Sequence, residues 1–406
     1  MAASRETDTI KRSAIATDSK PRVNQTDGAP RHDVSASNSY LRTFGPIIAL
    51  LIVWFYFAWS TNGIFLTPRN FSNLIRQTAV TGLLAVGMTI VLLAGEIDLS
   101  VGSIVGLSGM AAVVVQVAWH AGLVISLLTG ILVGLAIGIL QGSLTAYARI
   151  PSLIVTLGGL LIWRGIAKSI SSGNTVPVAV RAFKNIGQAY LSDLAGFLLI
   201  LLGVAIAAWM AIRENRVRVA QGTVAWSPLV FLSRVLIPAA ILAGLVLALN
   251  EYAGVPVPVL IFAVVAVLSA WILGNTAFGR SLYAVVSSGE VSHSAGSRRA
   301  PIVWAFAALG ALAGLAGIIS AARLGSAGPD MGALLEVDAI AASVIGGASL
   351  SGGRGTILGA CSGALIMASL DNGMSLRNVP DSTQAIVKGI VLVSAVGISM
   401  IGRSRD

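Results

Sequence analysis

Charged residues are scarce in this sequence. Lys, Arg, Asp and Glu make up only 11% of its 406 residues, whereas hydrophobic residues make up 55%. An average soluble domain contains about 25% charged residues. A soluble chain of this length would need many more polar side chains to cover its surface. The composition therefore indicates a protein with several membrane-spanning segments.

Cysteine and histidine are also rare. The single cysteine, Cys361, excludes an internal disulfide framework, and its small apolar neighbours are typical of a packing residue. The three histidines, His32, His120 and His293, do not have the spacing of metal ligands. We therefore predict no metal site.

The motifs of phosphate binding and of hydrolysis are absent. The sequence contains no GxxxxGK[ST], no GxSxG and no HExxH. The glycine cluster GGASLSGGRGTILG, residues 346–359, lies between two apolar segments, which favours a tight turn over a dinucleotide site. The sequence thus gives no support to an enzyme, and no cofactor is expected.

Long apolar segments are what the sequence does contain. They lie near residues 44–60, 77–94, 99–119, 121–147, 151–170, 193–212, 235–251, 256–274, 302–322, 337–348, 356–370 and 385–402. Most approach the roughly 20 residues that a spanning helix needs, and segment 337–348 is short enough to be re-entrant. Continuous runs exclude the alternating pattern of a β-barrel. We predict an all-α polytopic bundle of about 10–12 spans.

The distribution of basic residues predicts the orientation. Residues 1–42 are polar and form a predicted disordered tail, residues 43–402 form the membrane domain, and 403–406 form a short end. With both termini in the cytosol, the cytosolic segments hold 18 of the 27 Lys and Arg residues. The net charge of +10 is therefore interpreted as a signal of membrane orientation and lipid contact, not of nucleic-acid binding.

Glycines and two polar loops add detail. Gly130, Gly134, Gly138 and Gly142 recur every fourth residue, which predicts one helix face for close packing and, as an alternative, a translocation seam. The basic segment 211–235 is interpreted as a linker on the anionic leaflet. The loop 276–300 is polar, with a possible short helix from Arg280 to Val286.

Two carboxylates interrupt the apolar pattern in LLAGEIDLSVGS. Glu96 and Asp98 would cost about 3 kcal/mol each near the centre of a membrane helix. One interpretation is a helix cap by Asp98 or Ser100 at the cytosolic interface, and the other is a role in gating or partner contact. The remaining candidates, Glu336, Asp338 and Asp371, are predicted to lie near helix ends, which argues against an ion-coupled transporter.

Three long motifs resemble one family. GEIDLSVGSIVGLSG, IPSLIVTLGGLLIWRGIA and LLEVDAIAASVIGGASLSGGRGTILGA are similar to segments of the permease subunits of bacterial monosaccharide ABC importers. The segments TPRNFSNLIRQTAVTGLLAVGM, NEYAGVPVPVL and MASLDNGMS resemble the D-xylose type more closely than the ribose type. The resemblance extends from about Asn70 to Ile401.

The resemblance implies a multi-pass protein of the bacterial inner membrane that works as a homodimer. A cytosolic ATPase would supply energy, and a periplasmic sugar-binding protein would deliver the substrate. It also implies that the 276–300 loop contacts the ATPase, with Arg280, Glu290, His293 and Gly296 as candidates. The loop departs from the family pattern NxEAARLSGI, because His293 replaces a basic residue and the stretch is about one residue shorter.

A path for a neutral sugar needs hydrogen-bonding groups and aromatic faces. The candidates are Ser103, Gln141, Trp163, Asn174 and Asn372. Two other functions remain open. One is a secondary sugar transporter driven by an ion gradient, and the other is a structural subunit without a path.

Overall fold

The chain folds into a bundle of helices joined mostly by short loops. The computed structural model describes residues 34–287 and 299–401. The helices in these ranges are α1 (Val34–Ser60), α2 (Pro68–Leu93), α3 (Val101–Ala118), α4 (Leu123–Ala146), α5 (Ser152–Ile170), α6 (Arg181–Gln188), α7 (Asp193–Ala220), α8 (Pro228–Asn250), α9 (Val257–Asn275), α10 (Ala277–Ser287), α11 (Arg299–Leu324), α12 (Leu335–Ile345), α13 (Ile357–Leu376) and α14 (Asp381–Ile401). A two-residue ladder pairs β1 (Val176–Pro177) antiparallel with β2 (Ser326–Ala327).

The predicted membrane bundle is confirmed. Within the described ranges, nine helices are long and apolar enough to cross a membrane, namely α2–α5, α7–α9, α11 and α13. Each of the twelve apolar segments of the sequence coincides with a helix, and segment 337–348 is the short helix α12 of 11 residues. The fold is therefore an all-α polytopic bundle.

Three local predictions meet the structure differently. The short helix in the 276–300 loop is confirmed as α10. The linker over 211–235 is wrong, because α7 and α8 extend into it and leave only residues 221–227 between them. The helix ends are held together by Arg234, which lies 3.5 Å from the Glu214 carboxylate and 4.8 Å from the centre of the Trp226 ring. The predicted tail falls mostly on residues 1–33, outside the described ranges.

Burial divides the helices into an inner and an outer group. Most residues of α2, α3 and α11 are buried inside the protein, whereas only a small share of the residues of α7, α8 and α9 is buried. The exposed residues on the outer helices are largely Leu, Ile and Val. Lipid is as apolar as these side chains, so the outer helices fit a bilayer and the inner three form the core.

The glycine stripe of α4 packs against α11. A Cβ atom built on Gly134 would meet the Gly310 carbonyl oxygen, and one on Gly138 would meet the Phe306 carbonyl oxygen. The contact is reciprocal, because a Cβ on Gly310 would meet the Gly134 backbone. Contacts that bring two backbones this close admit only glycine. The packing interpretation of the stripe is therefore confirmed, and we call this contact the α4–α11 seam.

A short motif occurs twice in the chain and marks an internal repeat. The pattern E-x-D-x4-S-x2-G is found at residues 96, 98, 103 and 106, and again at 336, 338, 343 and 346. The first copy leads into α3, and the second lies in α12. In both copies the serine hydroxyl donates to a carbonyl oxygen of a neighbouring helix, from Ser103 to Leu160 at 2.9 Å and from Ser343 to Ala85 at 3.0 Å.

The helices around the two motifs follow the same order and exchange partners. The first repeat is α2–α5 and the second is α11–α14. Helix α11 packs on α3 and α4 of the first repeat, while α2 packs on α12 and α13 of the second. Each repeat thus completes the core of the other. The starts of α3 and α12 meet at Gly102, where an added Cβ would reach Glu336 and the Gly332 carbonyl oxygen.

The α4–α11 seam makes a prediction about stability. Replacing Gly138 with alanine forces a methyl group against the α11 backbone, and overpacking of this kind costs about 1–3 kcal/mol. We expect Gly138→Ala to lower the thermal unfolding midpoint of the purified protein by several degrees. Gly244→Ala on α8 is the matched control, because nothing lies within 4 Å of a Cβ there. Equal midpoints for the two variants would contradict the packing described.

Candidate functional site

Two clusters of buried polar side chains lie at related places in the two repeats. One is built on the first copy of the repeated motif and the other on the second copy. We call them the Asp98 cluster (Asp98, Ser100, Gln141 and Trp163) and the Lys388 triad (Lys388, Asp338 and Asp371). Each draws its members from the three helices that follow the core helix of its repeat, or from the loop before them.

The Asp98 cluster joins the start of α3 to α4 and α5. The Ser100 backbone N–H and its hydroxyl both donate to Asp98 Oδ1 at 2.7 Å. The Gln141 side chain bridges onward, with its amide nitrogen 3.3 Å from Asp98 Oδ2 and its amide oxygen accepting from Trp163 Nε1 at 3.0 Å. The network therefore provides partners for both carboxylate oxygens, the glutamine and the indole N–H.

Asp98 acts at the beginning of α3. It accepts the backbone N–H of Ser100, the residue that precedes the helix, while the Ser100 side chain makes no capping bond. The Asp98 side chain is almost fully buried, so it lies inside the protein instead of at an exposed interface. Burial raises the pKa of this carboxyl to about 6, and the hydrogen bonds from Ser100 oppose the rise.

A glycine on α5 makes room for the cluster. A Cβ atom on Gly159 would lie 2.8 Å from Trp163 Nε1 and would also meet the Gln141 amide oxygen that accepts from it. A larger residue at this position would separate the amide from the indole. Helix α5 therefore contributes both a donor and the space that the donor and its acceptor need.

Glu336 connects the two repeats. Its carboxylate lies 3.7 Å from the Arg164 guanidinium of α5, and its second oxygen, Oε2, is buried without a hydrogen-bond partner. Further along α5, Lys168 forms an ion pair of 3.2 Å with Asp330. Both members of that second pair are more than half exposed. One side of α5 therefore carries charges that are open to the surroundings of the single chain.

The Lys388 triad joins α12, α13 and α14. The Lys388 ammonium lies 2.7 Å from Asp338 Oδ2 and 2.9 Å from Asp371 Oδ2. The Asp338 side chain has no exposed surface, and the Lys388 side chain is 9% exposed. The remaining oxygens, Oδ1 of Asp338 and Oδ1 of Asp371, are buried and have no hydrogen-bond partner among the residues that the structure describes. Two carboxylates therefore share one ammonium deep in the bundle.

The predicted path residues have different environments. Ser103, Gln141 and Asn372 are buried, and Asn372 accepts a hydrogen bond of 2.8 Å from the side-chain amide of Asn70. Trp163 is half-buried, and Asn174 is exposed near the end of α5. Glu96 is half-buried and lies outside the Asp98 cluster. Their assignment to a sugar path stays a prediction.

The predicted ATPase-contact loop is described only in part. Arg280 is exposed on α10, whereas Glu290, His293 and Gly296 lie outside the described residues. Helix α10 is anchored by Leu282, which is fully buried, and by the Tyr283 hydroxyl, which donates to the Gly355 carbonyl oxygen at 3.1 Å. It thus connects the 276–300 loop to the turn between α12 and α13.

Sequence reasoning missed the cationic members of the site. Asp338 lies in the first turn of α12, as expected, but it is buried, whereas Asp371 is half-buried. The partner of both, Lys388 inside α14, was not singled out. Arg164 was missed in the same way. The repeat of E-x-D was the available signal, because two equal carboxylate motifs in apolar sequence imply two places where polar partners must be supplied.

The Asp98 cluster predicts the effect of one substitution. Gln141→Leu removes a donor to Asp98 and the acceptor of the Trp163 N–H, and a buried polar group without a partner costs about 1–3 kcal/mol. We expect a clear fall of the thermal unfolding midpoint. The matched control is Gln221→Leu, at an exposed position after α7, which should leave the midpoint unchanged. A fall of the same size in the control would show that loss of any glutamine is sufficient.

Comparisons with known proteins agree with this architecture. The chain is 41% identical over 372 residues to the xylose transport system permease protein XylH of Escherichia coli, which covers 90% of this chain and 93% of that protein. It is equally similar to XylH of Haemophilus influenzae, covering 98% of that protein. Identity to the ribose import permease protein RbsC of Escherichia coli is 33% over 82% of this chain and 86% of that protein. No solved structure matches.

A family match covers most of the bundle. The family described as the permease component of branched-chain amino acid transport systems matches residues 70–396, from the first turn of α2 to the second half of α14. This range includes both copies of the repeated motif, the Asp98 cluster and the Lys388 triad. The relatives above are permeases of transport systems, and none of their names describes an enzyme. The chain therefore belongs to this permease family and is a membrane-embedded transport subunit.

Proposed function

We propose that the chain is the permease subunit of an ABC importer for D-xylose or a related pentose, located in the bacterial inner membrane. The observation that carries the proposal is the 41% identity to xylose permeases across 90% of the chain, against 33% to a ribose permease. Only 11% of its residues are charged, and this suits a neutral sugar as cargo.

The open side of α5 supports a path between two copies of the chain. Arg164, Lys168 and Asp330 are all partly exposed there, and charge facing lipid is costly. The same helix has Gly158 and Gly165, where an added Cβ would meet nothing within 4 Å. Small residues of this kind let another helix approach closely. A homodimer with a hydrated path along α5 would cover the apolar residues and leave the charges in water.

Helix α10 supports coupling to a separate ATPase. A force applied at α10 would pass through Leu282 into the core and through Tyr283 to the turn between α12 and α13. We assign this helix and the following loop, with Glu290, His293 and Gly296, to the ATPase contact. The side with 18 of the 27 basic residues would face the cytosol, and a periplasmic sugar-binding protein would dock opposite.

An ion-coupled secondary transporter is the second candidate. The Lys388 triad and the presence of two internal repeats are features that such transporters also use. The two candidates differ in their source of energy. Transport by the first needs ATP hydrolysis on another chain, whereas the second needs only a gradient.

The energy source is tested by uptake into vesicles. We expect the purified chain alone to hydrolyse no ATP. Co-expressed with an ATPase and a sugar-binding protein from the same genome, it should import labelled xylose in a vanadate-sensitive manner. Unlabelled ribose should compete only weakly with labelled xylose for this uptake. Uptake by the chain alone that is abolished by an ionophore would instead establish the second candidate.

The dimer is tested by cross-linking in a Cys361→Ser background. Leu161 on α5 and Ile241 on α8 are each 68% exposed in the single chain, so they form a matched pair. We expect Leu161→Cys to give a covalent dimer with a short bis-maleimide reagent in native membranes, and Ile241→Cys to stay monomeric. Equal yields at both positions would mean that α5 is no closer to a second copy than a lipid-facing helix is.

A further inference from the structure

The Lys388 triad has a charge that does not balance. Two carboxylates and one ammonium sum to one negative charge if both carboxyl groups are ionised. The triad lies in the bundle, with Asp338 fully buried and Lys388 9% exposed. An uncompensated charge in such a place is costly, so ionisable groups in membrane interiors pair or neutralise.

The triad also has too few hydrogen-bond donors for its carboxyl oxygens. Lys388 Nζ occupies one oxygen of each carboxyl, Oδ2 of Asp338 and Oδ2 of Asp371. The other oxygen of each is buried and has no donor. An ionised carboxylate only accepts hydrogen bonds, so two of them cannot satisfy each other. The two carboxyl groups nevertheless lie side by side, because an oxygen of each is within 3 Å of the same ammonium nitrogen.

One proton corrects both shortages. We propose that the Lys388 triad is a binding site for a single proton, shared between the carboxyl groups of Asp338 and Asp371. The proton makes one carboxyl a donor to the other, and the triad becomes neutral. This proton-binding site does not depend on the transport function proposed above.

The surroundings leave the two aspartates as the groups that hold the proton. Glu336 of α12 also interacts with Lys388, but it pairs with Arg164 of α5. Arg76 of α2 lies over the Tyr190 ring. Arg69 of α2 and Asp381 of α14 are exposed at the first turns of their helices.

Asp371 is the more accessible of the two carboxyls. Its side chain is 23% exposed, whereas that of Asp338 has no exposed surface. A proton can therefore enter through Asp371 and reach Asp338. In the neutral form the triad ties α14 to α12 and α13, and separation of α14 would strand a charge on either side.

Infrared spectroscopy of the purified full-length chain tests the site. At neutral pH, the parent-minus-variant difference spectrum should show loss of one protonated carboxyl band in Asp371→Asn. Asp338→Asn should lose a band of the same intensity, because the proton is shared and either asparagine leaves a neutral ion pair. Asp330→Asn, at an exposed acid paired with Lys168, should lose a carboxylate band instead. Loss of a carboxylate band in both triad variants would overturn the proposal.

Thermal unfolding gives an independent measurement. With the proton present, Asp371→Asn substitutes an amide N–H for the shared proton, and we expect the unfolding midpoint to stay within about 2 °C of the parent. A bare anionic triad predicts a marked rise in the midpoint, because the variant removes a repulsive charge. A midpoint of the parent that depends on sodium, with choline as control, would show a bound metal cation and would also overturn the proposal.

Discussion

A carboxylate inside a membrane protein must find partners, and much of this bundle follows from that requirement. The chain has few charges, yet it places two E-x-D motifs in apolar sequence. Each motif recruits groups from the next helices, Gln141 and Trp163 in one repeat and Asp371 and Lys388 in the other. Burying an acid costs free energy unless its oxygens find partners. Here those partners come from neighbouring helices, so each buried acid links three helices. Packing of the apolar faces alone would not specify which helices adjoin.

The two repeats meet the requirement in different ways. The Asp98 cluster uses neutral partners, a serine, a glutamine and a tryptophan, whereas the triad uses a full positive charge and a second acid. Neutral partners fix a geometry without changing the total charge. An ion triad holds its members more firmly, but its stability depends on whether its charges balance. The same backbone arrangement therefore carries one carboxyl that is held by neutral partners and one pair of carboxyls that shares a lysine.

The sequence predicts the architecture well and the site incompletely. Hydrophobic length alone places the twelve apolar segments, because in lipid each backbone polar group must be satisfied within a helix. The glycine spacing likewise predicts the α4–α11 seam. The ends of α7 and α8 were missed because charged residues there continue the helices through Arg234 contacts with Glu214 and Trp226. Lys388 was missed because its partners lie 50 and 17 residues away, and no local pattern encodes such pairs.

The α4–α11 seam makes α4 and α11 one rigid unit, relative to which other helices can move. Its backbones touch over several turns, from Gly130 beside Ile318 to Gly142 beside Val303. If α4 slid along α11 by even one residue, side chains would clash with backbone carbonyl groups. The two helices are therefore expected to stay together during transport. Helix α5 is tied to its neighbours by the hydrogen bonds of Leu160 and Trp163, and α14 by Lys388, and such contacts can break without a clash between backbones. During transport, contacts would then break at the Asp98 cluster and the Lys388 triad, while α4 and α11 stay packed and keep the membrane sealed.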